Sequence, residues 1–168
     1  SYGYTVPNYV DFGGQLYFLA SGGGTGQSLW KVGQDGKAAL VVDFVPDQSD
    51  EFVSSLSIAG SNLYAVSNGD LFRIDSEGNS FNVTANQSAY VSQLFVIGSQ
   101  VYFSAGISSG PEFLGGRTSL WKLNQQGTPV LLHDPGSGAS GGISGYTEDY
   151  FTAHDTLYYW ADDGTHGW

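Results

Sequence analysis

The sequence predicts an all-β fold, a β-propeller-like repeat array of about three and a half four-stranded blades. Three observations carry this. A motif recurs as Gln15-Leu-Tyr-Phe-Leu-Ala, Asn62-Leu-Tyr-Ala-Val-Ser, Gln100-Val-Tyr-Phe-Ser-Ala and Thr156-Leu-Tyr-Tyr-Trp-Ala. A second motif follows the first three copies: Gln27-Ser-Leu-Trp-Lys-Val, Gly69-Asp-Leu-Phe-Arg-Ile and Thr118-Ser-Leu-Trp-Lys-Leu. The copies begin 47, 38 and 56 residues apart and are written in strand-sized pieces, the period of propeller blades.

In order along the chain, residues 1–7 read as an extended lead-in with Tyr2, Tyr4 and Val6 alternating. The first unit (8–45) holds strands at 9–12, 16–20, 28–32 and 38–43, with turns at Gly13-Gly14 and Asp35-Gly36. The second (52–85) is more compact, with strands at 53–58, 63–67, 70–75 and 80–84 and glycine-bearing turns between them. The third (89–134) runs 90–97, 101–105, 119–124 and 129–132, with a long middle loop at 106–117. A Gly/Ser stretch at 134–145 reads as a surface loop. The fourth unit (146–168) opens with strands at 150–153 and 157–161 and is half finished, so the chain reads as one repeat domain or as a fragment of a larger propeller.

Side-chain alternation supports stacked sheets. Trp121 and Leu123 share one strand face, and Leu120 and Lys122 share the other. Strands apolar on both faces belong to sheets covered on both sides, as blades are. Glycine opens the hairpin turn at Gly13, Gly60 and Gly98, where positive φ is needed. His154 takes that place in the fourth copy, which predicts a different turn there.

Composition bounds the function. The net charge is −11 with five Lys and Arg, which disfavours nucleic acid and anionic membranes as partners. No run of 18 apolar residues appears, so membrane insertion is not expected. Without cysteine, disulfides and thiolate chemistry are unavailable.

Leu16-Tyr-Phe-Leu-Ala with Ser28-Leu-Trp-Lys-Val-Gly-Gln-Asp-Gly, and Val101-Tyr-Phe-Ser-Ala with Ser119-Leu-Trp-Lys-Leu-Asn-Gln-Gln-Gly-Thr, resemble the bacterial ELWxxDGT repeat. The last copy, Leu157-Tyr-Tyr-Trp-Ala-Asp-Asp-Gly-Thr-His-Gly-Trp, resembles its first half. The copies are degenerate: Ser28, Asp70 and Ser119 stand where the family has glutamate. The resemblance implies a β-propeller-like fold in secreted or surface-anchored bacterial proteins beside adhesion modules, hence an extracellular or cell-surface location. It implies no catalytic reaction.

Tyr17, Tyr64, Tyr102 and Tyr158 in the first motif, and Trp30, Phe72 and Trp121 in the second, recur at fixed repeat positions and read as blade-packing aromatics. Lys31, Arg73 and Lys122 recur beside the latter as rim cations. Aromatics in irregular segments are the better ligand-binding candidates: Phe113, Tyr146, Tyr150 and Trp168. Glu148-Asp149 and Asp162-Asp163 are candidate calcium ligands, since that ion takes six to eight oxygens, but they lack the alternating aspartate spacing of a calcium loop. No other cofactor is expected. The glycine run at 22–26 has no following lysine, and Gly136-Ser137-Gly138 lacks the context of a nucleophile elbow.

The reading that follows is a non-enzymatic extracellular repeat module for adhesion, matrix or filament assembly, acting on other protein chains and self-associating through open strand edges. An alternative is a carbohydrate-binding propeller lectin with glycan ligands. A glycosidase or lyase comes third, because no motif places the two carboxylates, or the Tyr/His pair, that it needs at one mouth.

Overall fold

The computed structural model describes residues 9–21, 26–44, 52–85, 89–107, 118–133, 142–143 and 150–162. The described residues form strands and turns only. The backbone falls into two compact units, Ser1–Asn82 and Val83–Trp168.

The first unit carries two four-stranded antiparallel meanders. Sheet 1 is β1 (Tyr9–Phe12), β2 (Gln15–Ser21), β3 (Gln27–Val32) and β4 (Ala38–Val42), and sheet 2 is β5 (Val53–Ala59), β6 (Asn62–Ser67), β7 (Asp70–Ile74) and β8 (Ser80–Asn82). In the second unit sheet 3 repeats the order with β9 (Ala89–Ile97), β10 (Gln100–Ile107), β11 (Thr118–Leu123) and β12 (Pro129–His133). The fourth repeat supplies two strand pairs: β14 (Tyr150–Ala153) with β15 (Thr156–Tyr159), and β13 (Gly142–Ile143) with β16 (Ala161–Asp162). Two expectations are corrected here. Residues 142–143, read as loop, form a strand, and the strand expected at 157–161 divides at Trp160, its last part pairing with β13 rather than β14.

The turns explain why the repeat is so regular. Gly13 and Gly14 both have positive φ, the backbone that lets a two-residue hairpin follow the strand twist. His154 and Asp155 adopt the same double positive φ, at 49° and 57°. The fourth turn therefore matches the first rather than differing, because His and Asp tolerate the left-handed region better than most residues.

The connection between third and fourth strands is also built alike three times. Gly36, Gly78 and Gly127 donate from N to the carbonyls of Gly33, Asp75 and Asn124 at 3.0, 3.0 and 2.9 Å. In two copies the first residue's side chain seals the loop. Asp75 Oδ1 accepts from the N–H groups of Glu77 and Asn79, and Asn124 Oδ1 from those of Gln126 and Thr128. Gly33 has no such side chain, and Asp35 Oδ1 accepts from Lys37 N instead.

Each sheet has two distinct faces. One presents the motif tyrosine and the other the second-motif aromatic, here called the tyrosine face and the tryptophan face. In the first unit the tyrosine face of sheet 1 (Tyr17, Leu19, Leu29) shares one core with the tryptophan face of sheet 2 (Leu63, Ala65, Phe72, Ile74). Leu29, Leu63, Ala65 and Ile74 are fully buried there, and the Phe44 and Phe72 rings meet at 5.0 Å. The Gln27 side chain also accepts a hydrogen bond from Val53 N at 2.9 Å, tying the two sheets.

Candidate interaction surfaces

The second-motif aromatics occupy one structural position with different surroundings. Phe72 sits in the row Leu56–Ala65–Phe72–Asn82, buried in the core of the first unit. Trp30 lies in the row Tyr9–Phe18–Trp30–Leu40 on the opposite side of sheet 1. That row is open: Tyr9 is 67% exposed and Leu40 51%, with Leu16 beside them at 44%. Trp121 lies in the row Leu94–Phe103–Trp121–Leu131, its ring parallel to Phe103 at 6.2 Å. Phe72 is thus packed in the core and Trp121 stacks on buried Phe103, while Trp30 is half-buried in an open row, the indole N–H of each tryptophan lying out of solvent.

The motif tyrosines share rows with the rim cations. Tyr17 stands opposite Lys31, Tyr64 opposite Arg73 and Tyr102 opposite Lys122. Burial, and then the negative charge of Asp75, hold the Tyr17 phenol above its ordinary value; burial does the same for Tyr64, with Arg73 opposing. The Arg73 guanidinium lies 4.7 Å from the centre of the Phe81 ring. Arg73 is thus engaged along its own sheet.

Between the hairpin turns of sheets 1 and 2 lies an open cleft of about 830 Å³. Leu16, Tyr17 and Ile58 give it apolar wall, and Asp11, Gln15, Gln34, Ser61 and Ser76 give it polar groups. Among the described lining residues Asp11 is the one carboxylate, and its Oδ1 accepts from Gly14 N at 3.1 Å.

In the fourth repeat Tyr150 is buried, with its ring 4.4 Å from Phe95 and in one cluster with Leu120 and Leu157. This corrects its candidacy as a ligand platform: its ring is committed to packing. Tyr158 pairs with Phe151 in a parallel stack at 4.8 Å, on the side of the hairpin away from that cluster. Phe151 is 55% exposed, Tyr158 46% and Trp160 57%. Tyr158 is therefore displayed rather than packed. Phe113, Tyr146, Glu148, Asp149, Asp163 and Trp168 lie outside the described residues, as does the side chain of Asp162. Among the described residues no three His, Asp or Glu side chains gather where a metal could sit.

One repeated feature escaped the sequence reading. β5 and β9 each bulge at a serine, Ser54 and Ser92, whose hydroxyls lie 3.4 Å from the carbonyls of Val66 and Ser104. The shared Val-Ser-x-Leu of residues 53–56 and 91–94 was the available signal.

No family model matches the chain, and no curated protein sequence matches it with significance. Among solved structures it is similar to a catalytically inactive variant of virginiamycin B lyase from Staphylococcus aureus, crystallised with quinupristin, at a TM-score of 0.50 and 15% identity. The match covers 93% of this chain and 58% of that one, and that neighbour is a β-propeller. The fold is β-propeller-like. At this identity the likeness speaks to the fold alone, and this chain spans little more than half the length of its neighbour. No helix among the described residues is long and apolar enough to cross a membrane.

Proposed function

We propose that this chain is a non-enzymatic repeat module of the extracellular or cell-surface space that works through protein–protein contacts, in adhesion, matrix or filament assembly. One observation carries the reading. Contiguous aromatic and aliphatic side chains are exposed on sheet 1 and on the β14–β15 hairpin, on sheet faces whose counterparts elsewhere in the chain are packed. Exposed apolar patches rimmed by polar residues mark interaction sites. The resemblance to ELWxxDGT repeats points the same way. The test is solution mass by light scattering over a wide range of concentration: mass that grows with concentration supports the reading, and a monomer throughout refutes self-association.

The cleft of the first unit favours a second reading, glycan binding. Its exposed Leu16 and Ile58, with the glutamines and serines, suit a sugar, which offers both an apolar face and hydroxyls. Calorimetric titration with neutral oligosaccharides, repeated on Gln34→Ala and Ser76→Ala, tests it; binding unaffected by both changes would place the sugar elsewhere.

A further inference from the structure

We propose that a second copy of this chain seats the β14–β15 hairpin of one molecule on the outer, tryptophan face of sheet 1 of the next, making a head-to-tail interface. This rests on the reading above that the chain self-associates, and it specifies the surfaces and their polarity.

The molecule contains its own template for the contact. In the first unit, the tyrosine face of sheet 1 packs on the tryptophan face of sheet 2. In the second unit the same rule holds independently. Phe95 and Leu120 lie on the tyrosine face of sheet 3, because Phe95 stands opposite Tyr102 and Leu120 opposite Ser104. They pack against Tyr150 and Leu157 of the fourth repeat. Leu157 holds the repeat position of Leu63 and Leu16, which belongs to the tryptophan face. Twice, then, the tyrosine face of one repeat covers the tryptophan face of the repeat that follows it.

Outside these two contacts, one face of each kind carries exposed aromatic side chains. The tryptophan face of sheet 1 exposes Tyr9, Leu16 and Leu40 around Trp30 and Phe18. The tyrosine face of the fourth repeat exposes Phe151, Tyr158 and Trp160, which hold the repeat positions of Val10, Tyr17 and Leu19. In sheet 1 those three residues pack in the core that covers sheet 2. The two open faces are therefore the two halves of a contact the chain already makes twice. They are different surfaces, so the contact is heterologous; it gives a ring if the rotation closes and a filament if it does not.

The test uses two variants of the whole chain, each altered only at exposed positions. Tyr158→Glu with Trp160→Glu blocks the tyrosine face, and Tyr9→Glu with Leu40→Glu blocks the tryptophan face. Circular dichroism and thermal midpoints check that both fold. A carboxylate buried in an apolar contact is expected to weaken association at least about tenfold. Each variant alone stays monomeric where the wild type associates. Mixed in equal amounts they give a complex of two chains and nothing larger, since each retains the face that the other lacks. Wild-type association with either variant assembling as well as the wild type, or with no complex in the mixture, overturns the head-to-tail contact and leaves self-association standing. A wild type that is monomeric at every concentration overturns both.

Discussion

Replacing Phe72 and Trp30 by alanine, one at a time, separates a covered repeat position from an open one. Phe72 is 8% exposed, and its ring meets Phe44 inside the core shared by sheets 1 and 2. Removing a buried phenylalanine ring costs about 3–5 kcal/mol, lost transfer energy plus the cavity that remains. The upper part of that range fits here, because flanking Leu63, Ala65 and Ile74 are held in strand pairing and cannot collapse into the space. Trp30 is bordered by half-buried Phe18 and by Leu40, which is half in solvent. Partial burial of that kind is worth about 1–2 kcal/mol. Urea unfolding, at concentrations low enough to keep the chain monomeric and with the two units followed by separate probes, gives both numbers. Equal losses for the two changes would refute the assignment of Trp30 to an uncovered face.

Further expectations concern turns and titrating groups. Asn124→Ala removes the side-chain oxygen that accepts from two backbone N–H groups and should lower stability by about 1 kcal/mol, whereas Asn124→Asp should keep most of it, by urea midpoint. Hydrogen bonds from the Asn79 side chain, and then from backbone N–H groups, hold the Asp75 carboxyl below its ordinary value of 3.8. A lowered folded value means that its stabilisation is whole above 3.8 and fades as pH falls through the depressed value. The gap in thermal midpoint between wild type and Asp75→Ala should accordingly close in strong acid. Asp155→Gly should stabilise the β14–β15 hairpin by up to about 1 kcal/mol by relieving a left-handed non-glycine residue, measurable as slower amide exchange of its strands. In an alkaline titration followed by ultraviolet absorbance, Tyr17 and Tyr64 should ionise above 10.0, and the stability each phenol adds should be lost as pH rises through its folded value.

The fold was largely legible because the repeat states each strand several times. The Leu-Tyr and Leu-Trp motifs and the Asp-Gly or Asn-Gly turns mark strand positions whose two-residue period survives degeneration of the copies. Turn chemistry was less legible. His154 reads as a broken pattern, yet its backbone takes the conformation of Gly13, since steric preference biases such a turn without forbidding it. The serine bulges at Ser54 and Ser92 were hidden because each only slips the phase of the alternation by one residue, so that Val53 and Leu56, three apart, share a face. For the interaction surfaces, sequence supplied the aromatics but not their exposure. Tyr150 follows a glycine-rich stretch and looks like a loop aromatic; only its place opposite Tyr159 and against Phe95 shows it to be core. Tyr158 carries the packing motif and is nevertheless displayed, because burial depends on which neighbour covers a face.

The stacking polarity of the repeats can be tested most directly by cross-linking between copies, for which a chain with no native cysteine is well suited. Leu40→Cys and Trp160→Cys are prepared separately and treated with a short bismaleimide, alone and as a mixture. Head-to-tail stacking predicts an abundant linked pair containing one chain of each kind, and little product from either variant alone. Efficient linking of Leu40→Cys to itself or of Trp160→Cys to itself, with none between them, would contradict it.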